Sequence, residues 1–498
     1  MKCRFYLLDI NEARWESDPS VLLWGLDDKE KRTVIAAKGI MPYFYVLPAD
    51  EDVDSLRERL MHKKEVFPKL AELTVATKKY LGHHRKVIKV ACSDSAVLAK
   101  YAKEIQKALR KVEILEDDLR LSVRYLTDFS LTPCGWHECE VERGELKGVD
   151  LENVYFAKTP PESVADYRIP ELRTLAFSIL TVSRKGSAKP ERDPVRAIAI
   201  ATPRGSPKTF VANGSDDFGL LKEFLASVTE SDPDILACFE SNRSVWPFLI
   251  ARCKARKLEL AVGRDGSEPH TSVFGHVSVT GRANIDVFDV AGGIPEIKVK
   301  NLENIAKYLQ VPSAGKVTTV EESDRQMLWD DESQREKLLS HVRMNAQASL
   351  EIAEATLNYP MQLAALTGLP LDQVMAAAVG FKVDSYLIRQ AHRVGELIPP
   401  RSEQPFYTYR GAIVLEPETG LHDDVVVLDF ASMYPNLMFN YNLSPDTLIR
   451  PGEKVQENSV YAIPEVGHRF RKSPDGFYRI VLSTLLRERS GIREELQK

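Results

Sequence analysis

Val425-Val426-Val427-Leu428-Asp429-Phe430-Ala431-Ser432-Met433-Tyr434-Pro435 is the stretch on which the reading of this chain turns. Four consecutive apolar residues, three of them β-branched, predict a buried strand that delivers the Asp429 carboxylate at its end. Two small residues, Met433 and then Tyr434-Pro435 follow, and the chain is expected to turn sharply away there. A buried strand ending in an Asp is common, and alone it does not assign a metal ligand. Tyr434, read alone, is a packed core aromatic.

Other segments fall along the chain in a definite order. Tyr409-Arg410-Gly411-Ala412 has the form Tyr-x-Gly-Gly with its second Gly replaced, and Asn442-Leu443-Ser444-Pro445-Asp446-Thr447 and Val466-Gly467-His468 follow the Asp429 stretch. Upstream lie Asp232-Pro233-Asp234, Trp246-Pro247 and Gly263-Arg264-Asp265-Gly266-Ser267-Glu268-Pro269. In this order the segments resemble the family B DNA polymerases of archaeal type, over essentially all 498 residues. The Val425–Pro435 stretch is similar to the first palm motif of that family.

The resemblance implies DNA-directed DNA synthesis, in which a primer hydroxyl attacks a deoxynucleoside triphosphate. Two Mg²⁺ ions about 3.5–4 Å apart assist such a displacement, and holding both takes at least two converging carboxylates. Asp429 is implied as catalytic residue and ligand of both metals, with the Phe430 carbonyl as a further ligand. Ser432 and Met433 would face the incoming triphosphate. The Tyr434 ring would lie on the deoxyribose and leave no room for a 2'-hydroxyl. Tyr409, Arg410 and Gly411 would contact DNA. In Leu485–Arg493 apolar residues recur at helical spacing, with Arg489 and Arg493 four apart on one face. The segment is similar to the family's first fingers helix, where two basic residues at this spacing grip the triphosphate, a task suited to guanidinium groups. The other reading is a solvated helix face.

The chain ends at Lys498, within that helix. The family's second fingers motif, its later palm Asp and its thumb are not found. Asp446 and Asp475 each follow a Ser-Pro pair and read as turns. One carboxylate does not hold two metals, so the chain alone is not expected to polymerise DNA.

Residues from about 167 resemble the family's 3'–5' exonuclease domain, which uses four carboxylates around two metals. Its first motif falls on Phe177-Ser178-Ile179-Leu180-Thr181, with both acids gone. The second motif's Asp falls on Val245 and the Asn before it on Glu240. The third falls on His341-Val342-Arg343-Met344-Asn345, without its Tyr or Asp. Ser178, Leu180, Val245, His341 and Asn345 are thus degenerate positions, and no proofreading is expected. The strands Leu175–Val182, Ala197–Ala201 and Asp234–Phe239 and the helices Phe218–Val228 and Trp246–Leu258 remain patterned for a core. Such a scaffold can retain affinity for single-stranded DNA, which needs basic and aromatic surface rather than metals.

The expected fold is α/β and α+β multidomain, a ribonuclease-H-like exonuclease-type domain plus a partial polymerase palm. The expected segments are 1–166, an N-terminal domain; 167–356, the exonuclease-like domain; 357–400, a helical connection; 401–475, the first part of the palm; and 476–498, the start of the fingers helix. The first segment should carry strands at Phe5–Ile10, Val21–Leu26 and Tyr43–Leu47 and a helix near Ala96–Ala108. Helices are expected from about Ser340 to Asn358 and from Leu371 to Val394. Pro42 and Val87 match a pocket that reads template uracil in archaeal relatives, whereas His84 replaces a Pro and Glu12 a Tyr.

At 44% hydrophobic and 28% charged, with no long apolar run, the sequence reads as soluble and cytoplasmic, with no membrane partner. A net charge of −5 gives no overall polyanion signature, and basic residues concentrate in Lys78-Lys79-Tyr80 through His83-His84-Arg85-Lys86 and Lys89. That run is as compatible with a solvated face as with template contact. Six scattered cysteines suit reduced thiols. Cys134, His137 and Cys139 crowd three possible zinc ligands without a second pair to close a tetrahedron.

Two functions from different classes follow. The first is the N-terminal, larger subunit of a split family B DNA polymerase, working with Mg²⁺, primer-template DNA and deoxynucleoside triphosphates once a second chain completes it. The other is a non-catalytic DNA-binding or assembly paralogue. A plainer possibility is that the sequence is a piece of a longer one.

Overall fold

Strand-forming residues dominate the first fifty positions, and the chain opens there as sheet. The computed structural model describes residues 1–15, 18–49, 52–63, 65–109, 111–272, 275–401 and 413–497. In chain order the strands are β1 (Lys2–Trp15), β2 (Asp18–Asp27), β3 (Arg32–Lys38), β4 (Tyr43–Pro48), β5 (Leu70–Tyr80), β6 (His83–Cys92), β7 (Val112–Leu115), β8 (Gly135–Arg143), β9 (Asn153–Ala157) and β10 (Glu162–Ser163). They continue with β11 (Thr174–Thr181), β12 (Val195–Ala201), β13 (Lys208–Val211), β14 (Ile235–Cys238), β15 (His270–Thr271), β16 (Val277–Ser278), β17 (Ala283–Asp286), β18 (Val460–Ile463) and β19 (His468–Arg471). The chain divides into two compact units, Met1–Pro42 with Arg120–Arg389, and Tyr43–Leu119 with Gln390–Lys498.

In the first unit, six strands pair in the order β1-β2-β3-β9-β8-β10, and β1 also pairs with β8, so the sheet curls round on itself. The β1–β2 register slips between Leu7 and Asp9. This bulge sends Leu7 into the sheet's own core and Leu8 into a different cluster with Ile235, Ile285 and Leu371. Gly25 sits opposite, where a Cβ would lie 1.8 Å from the Tyr6 carbonyl oxygen. Neither backbone can retreat without losing ladder bonds. Gly25→Ala is expected to cost about 1–3 kcal/mol, read as a lower urea midpoint with an unchanged slope.

The second sheet of this unit runs β13-β12-β11-β14-β17, antiparallel from β11 outward on one side and parallel on the other. Alternation along β11 gives each face its own core. Leu175 and Phe177 pack with Phe224 and Trp246 of the helices Phe218–Ser231 and Trp246–Ala255. Ala176 and Leu180 pack with Val342 and Ala346 of the helix Glu332–Thr356. This is the α/β, ribonuclease-H-like layer that the sequence predicts.

Two expected helices come out differently. The helix placed at Ser340 begins earlier, at Glu332, where the Asp331 carboxylate accepts the Ser333 amide at 2.9 Å as an N-cap. The single helix expected over Leu371–Val394 is two, Leu371–Ala376 and Val379–Val394. Ala377 is extended and buried with Leu371 and Val374, so packing overrides its helix propensity.

In the second unit, β5-β6-β4-β7 form a sheet backed by the helices Val53–Met61 and Leu98–Ala108. The β18–β19 hairpin and the helices Met433–Asn440 and Phe477–Leu496 follow. The buried strand expected at Val425–Leu428 is not formed: these residues are irregular and 69–89% exposed. Strand backbone needs a ladder partner for its N–H and C=O groups, and among the described residues no strand pairs with this segment. No helix among the described residues is long and apolar enough to cross a membrane.

Candidate active site

Asp429 stands at the end of that irregular segment, exposed, with no hydrogen-bond or ion-pair partner among the described residues. Phe430 and Tyr434 are also exposed, Tyr434 to 72%. The chain then turns at Ser432, whose backbone is left-handed (φ 48°) and which precedes the helix Met433–Asn440. Asn436 fixes this turn, its side-chain amide donating to the Ala431 carbonyl at 2.7 Å and its backbone amide to that of Ser432 at 3.0 Å.

The following segment, Asn442–Thr447, is tied to the helix Phe477–Leu496. Buried Asn442 donates to the Arg471 and Pro474 carbonyls at 2.8 and 2.9 Å and accepts the Gly476 amide at 2.8 Å. Asp446 accepts the Phe477 amide at 3.0 Å, and the Ser444 hydroxyl accepts that of Tyr478 at 3.2 Å. Two side chains from thirty residues upstream therefore satisfy amides of the helix's first turn, where a carboxylate also suits the helix dipole. Asp446 lies in a turn, as read from its Ser-Pro context, but its capping role is a long-range pairing that no local pattern announces.

Arg479 couples the two helices. Its Nε donates to the Phe439 carbonyl at 2.7 Å and its Nη2 to that of Asn440 at 3.2 Å, satisfying helix-end acceptors. Further along the same helix, Arg489 Nη1 donates to the Ser432 hydroxyl. The structure thus brings Ser432 and Arg489 together, with Met433 and Tyr434 on the adjoining turn. Arg493, one turn further along the helix, is exposed and has no hydrogen bond to this turn among the described residues. Tyr409, Arg410 and Gly411, with Ala412, lie outside the described residues. The residues present do not fit two Mg²⁺ ions: one carboxylate and a backbone carbonyl stand where two carboxylates are needed, and no group of three or more His, Cys, Asp or Glu side chains among the described residues could hold a metal.

In the first unit four of the five positions that the resemblance aligns with exonuclease motifs come together. Ser178, Val245, His341 and Asn345 line one cavity of about 460 Å³, together with Glu240 and Arg325. Leu180 is turned into the apolar core beneath. On the helix Glu332–Thr356, the Asn345 side-chain amide meets His341 Nε2 at 3.1 Å, and burial, then Arg325, lower the pKa of His341. The acids in the lining already have donors: Glu240 accepts the Ser244 hydroxyl, Glu303 the Lys307 ammonium at 2.7 Å, and Glu322 the Ala188 amide at 3.3 Å. Sequence reasoning missed Glu303, Glu322 and Arg325, which reach the cavity from the helices Leu302–Tyr308 and Glu322–Asp330.

His137 serves structure, its ring bonding the Thr132 carbonyl at 2.9 Å, with its pKa pushed down to about 4 by burial. Cys139 packs in the neighbouring core. Val87 is buried beside Tyr43 and Tyr45, His84 is exposed, and Glu12 accepts the Ser122 amide at 3.4 Å.

The model for DNA polymerase family B matches residues 369–498, which include Asp429, Tyr434, Arg489 and Arg493. The chain is 36% identical over 99% of its length to DNA polymerase 2 of Aeropyrum pernix and 32% identical over 99% to a DNA polymerase of Archaeoglobus fulgidus. Its fold superposes on the family B DNA polymerase of the hyperthermophilic archaeon Pyrobaculum calidifontis with a TM-score of 0.88, at 36% identity over 99% of the chain. The chain is similar along nearly its whole length to archaeal family B DNA polymerases. It spans 62% and 60% of the two curated relatives and 64% of the solved one. For a family B chain of archaeal type, the curled six-stranded sheet and the ribonuclease-H-like layer are the expected architecture.

Proposed function

We propose that this chain is the N-terminal, larger part of a split family B DNA polymerase, completed by a second chain that carries the remaining fingers, the second palm Asp and the thumb. The reaction is template-directed nucleotidyl transfer from deoxynucleoside triphosphates to a primer. The observation that carries the reading is the Ser432–Arg489 hydrogen bond, which sets the end of the Asp429 stretch against the fingers arginine. An enzyme that holds a triphosphate between these elements needs that juxtaposition.

In this reading Asp429 and the Phe430 carbonyl are this chain's share of a two-Mg²⁺ site. When bound, the ions would supply charge neutralisation at the phosphates. Tyr434 presents its ring to the sugar, Arg489 and Arg493 hold phosphate oxygens, Ser432 and Met433 line the nucleotide, and Tyr409, Arg410 and Gly411 contact DNA. The domain limits proposed are 1–166, 167–356, 357–400, 401–475 and 476–498. The protein would work in the cytoplasm on nucleoid DNA.

The test is primer extension with Mg²⁺ and deoxynucleotides, first with this chain alone and then with a chain carrying the missing segments. Extension only in the mixture is the expected result; none in either case, with DNA binding intact, would sink the catalytic reading.

The exonuclease-like domain is proposed to be inactive, since no pair of carboxylates is left at its motif positions. A 3'-labelled single strand incubated with Mg²⁺ should release no label above background, alone or in the mixture. Release abolished by Glu240→Gln would overturn this. The second reading, a non-catalytic DNA-binding or assembly paralogue, is favoured by one observation, the exposed and unpaired Val425–Phe430 segment.

A further inference from the structure

Little apolar packing holds the helix Phe477–Leu496. Among its described residues only Val481 is buried, while Ile480, Ile492 and Leu496 are exposed. A helix without a buried stripe takes its direction from polar ties rather than from a core. The Asn442–Asp446 segment supplies the caps described above, all of them to the amides of Gly476, Phe477 and Tyr478. Caps from one short segment fix where the helix starts, as a pivot does, and constrain its tilt only weakly.

Arg479 is the tie that comes from another helix. Its Nε and Nη2 donate to the Phe439 and Asn440 carbonyls, its guanidinium lies 5.3 Å from the centre of the Phe439 ring, and its Nη1 pairs with Asp475 at 2.9 Å. The side chain is only 18% exposed. The planar fork thus spans two successive carbonyls at the end of the helix Met433–Asn440, which an ammonium group does not reproduce. That same helix begins at the Ser432 turn, where Arg489 donates to the hydroxyl. The two helices are therefore joined twice, by Arg479 at the last residues of the shorter one and by Arg489 at the turn that opens it. Arg489 lies ten residues beyond Arg479, which is about 15 Å along a helix. A tilt of about 10° at the base moves it by roughly 2–3 Å, about the length of a hydrogen bond.

We propose that Arg479 is a positioning residue for nucleotide binding: it touches no substrate, and by locking the two helices it sets the place of Arg489 against the Ser432 turn. The consequence for catalysis rests on the polymerase reading, in which Arg489 holds phosphate, whereas the locking itself is a property of this chain alone.

Spin labels at Leu437→Cys and Glu494→Cys test the locking in the full chain without a partner. Both positions are exposed, and the six native cysteines are buried or half-buried. Pulsed electron paramagnetic resonance should give one narrow distance distribution for the labelled chain, and the same for Asp475→Ala, which spares both carbonyl ties. Arg479→Ala should broaden the distribution at least about twofold, and Arg479→Lys, which keeps the charge and loses the fork, should fall between. Primer extension in the mixture with the completing chain tests the consequence. Arg479→Ala should raise the KM for deoxynucleotide about tenfold with kcat within about threefold, and should add less than about twofold in an Arg489→Ala background, because it acts through that residue. An unchanged distance distribution in Arg479→Ala, or a KM increase of full size without Arg489, would overturn the proposal. A wild-type mixture without extension would count against the split reading alone, and the distances would then decide this one.

Discussion

Asp429→Ala, in the mixture with the completing chain, is expected to cut the primer-extension rate by at least about a thousandfold, with primer-template affinity nearly unchanged. On the proposed reading Asp429 would be this chain's carboxylate at the metal site, where the loss of several kcal/mol of transition-state stabilisation is expected, and each 1.36 kcal/mol is about tenfold in rate. Asp429 is free of other contacts and exposed, so its removal costs the fold little, and the loss reports on chemistry alone. Asp475→Ala is the comparison. Asp475 pairs with Arg479 at 2.9 Å on the helix surface, and an exposed pair contributes only about 0–1 kcal/mol. A rate change below about threefold is expected there. Equal losses in the two variants would remove Asp429 from the reaction.

The largest expected loss of stability lies far from that carboxylate. Asp234 is fully buried and accepts from Arg32 at 2.5 Å and Arg264 at 2.8 Å. Arg264 and Arg282 also reach Asp232, at 3.0 and 2.7 Å. Asp234→Ala leaves two guanidinium groups with one buried acceptor fewer, and breaking a buried pair from one side typically costs about 3–5 kcal/mol. The urea midpoint should fall accordingly, and Asp234→Asn, which keeps an acceptor oxygen, should fall less. A loss below about 1 kcal/mol would mean that water reaches the arginines.

The same network gives a pH signature. Burial opposes the charged form of Asp232, but Arg264 and Arg282 outweigh it and hold the carboxyl below the usual range. A depressed folded pKa stabilises the protein fully above the unfolded value of about 3.9. That contribution is lost as the pH falls through the lower folded value. In Arg282→Gln the depression, and with it the acid dependence, should shrink.

The parts of this fold that the sequence announces are those fixed by short-range periodicity. Thr174–Thr181, Val195–Ala201 and the helices from Phe218 and Trp246 follow from alternation and helical spacing with both faces buried. The early start of the helix at Glu332 was also readable, since Asp331 is a good N-cap residue placed just before it. Val425–Leu428 has strand composition, but composition cannot supply the neighbouring strand that pairing requires. Ala377 breaks a helix because its methyl is buried, which no propensity reports. At the site, Arg489 and Ser432 are 57 positions apart and Asp446 and Phe477 are 31 apart, so their hydrogen bonds come from the tertiary fold. That Ser178, Leu180, Val245 and Asn345 carry no carboxylate is legible directly, because it is a matter of residue identity.

The capping of the helix Phe477–Leu496 by Asp446 and Ser444 bears on how assembly would proceed. Its first turn is anchored within this chain, so Arg489 and Arg493 ride on a rod whose direction is set before any encounter. A completing chain would then order chiefly the irregular segment around Asp429, and the entropy lost on association would be confined to about that one segment. Asp446→Ala should therefore slow productive association more than it slows turnover in the assembled enzyme.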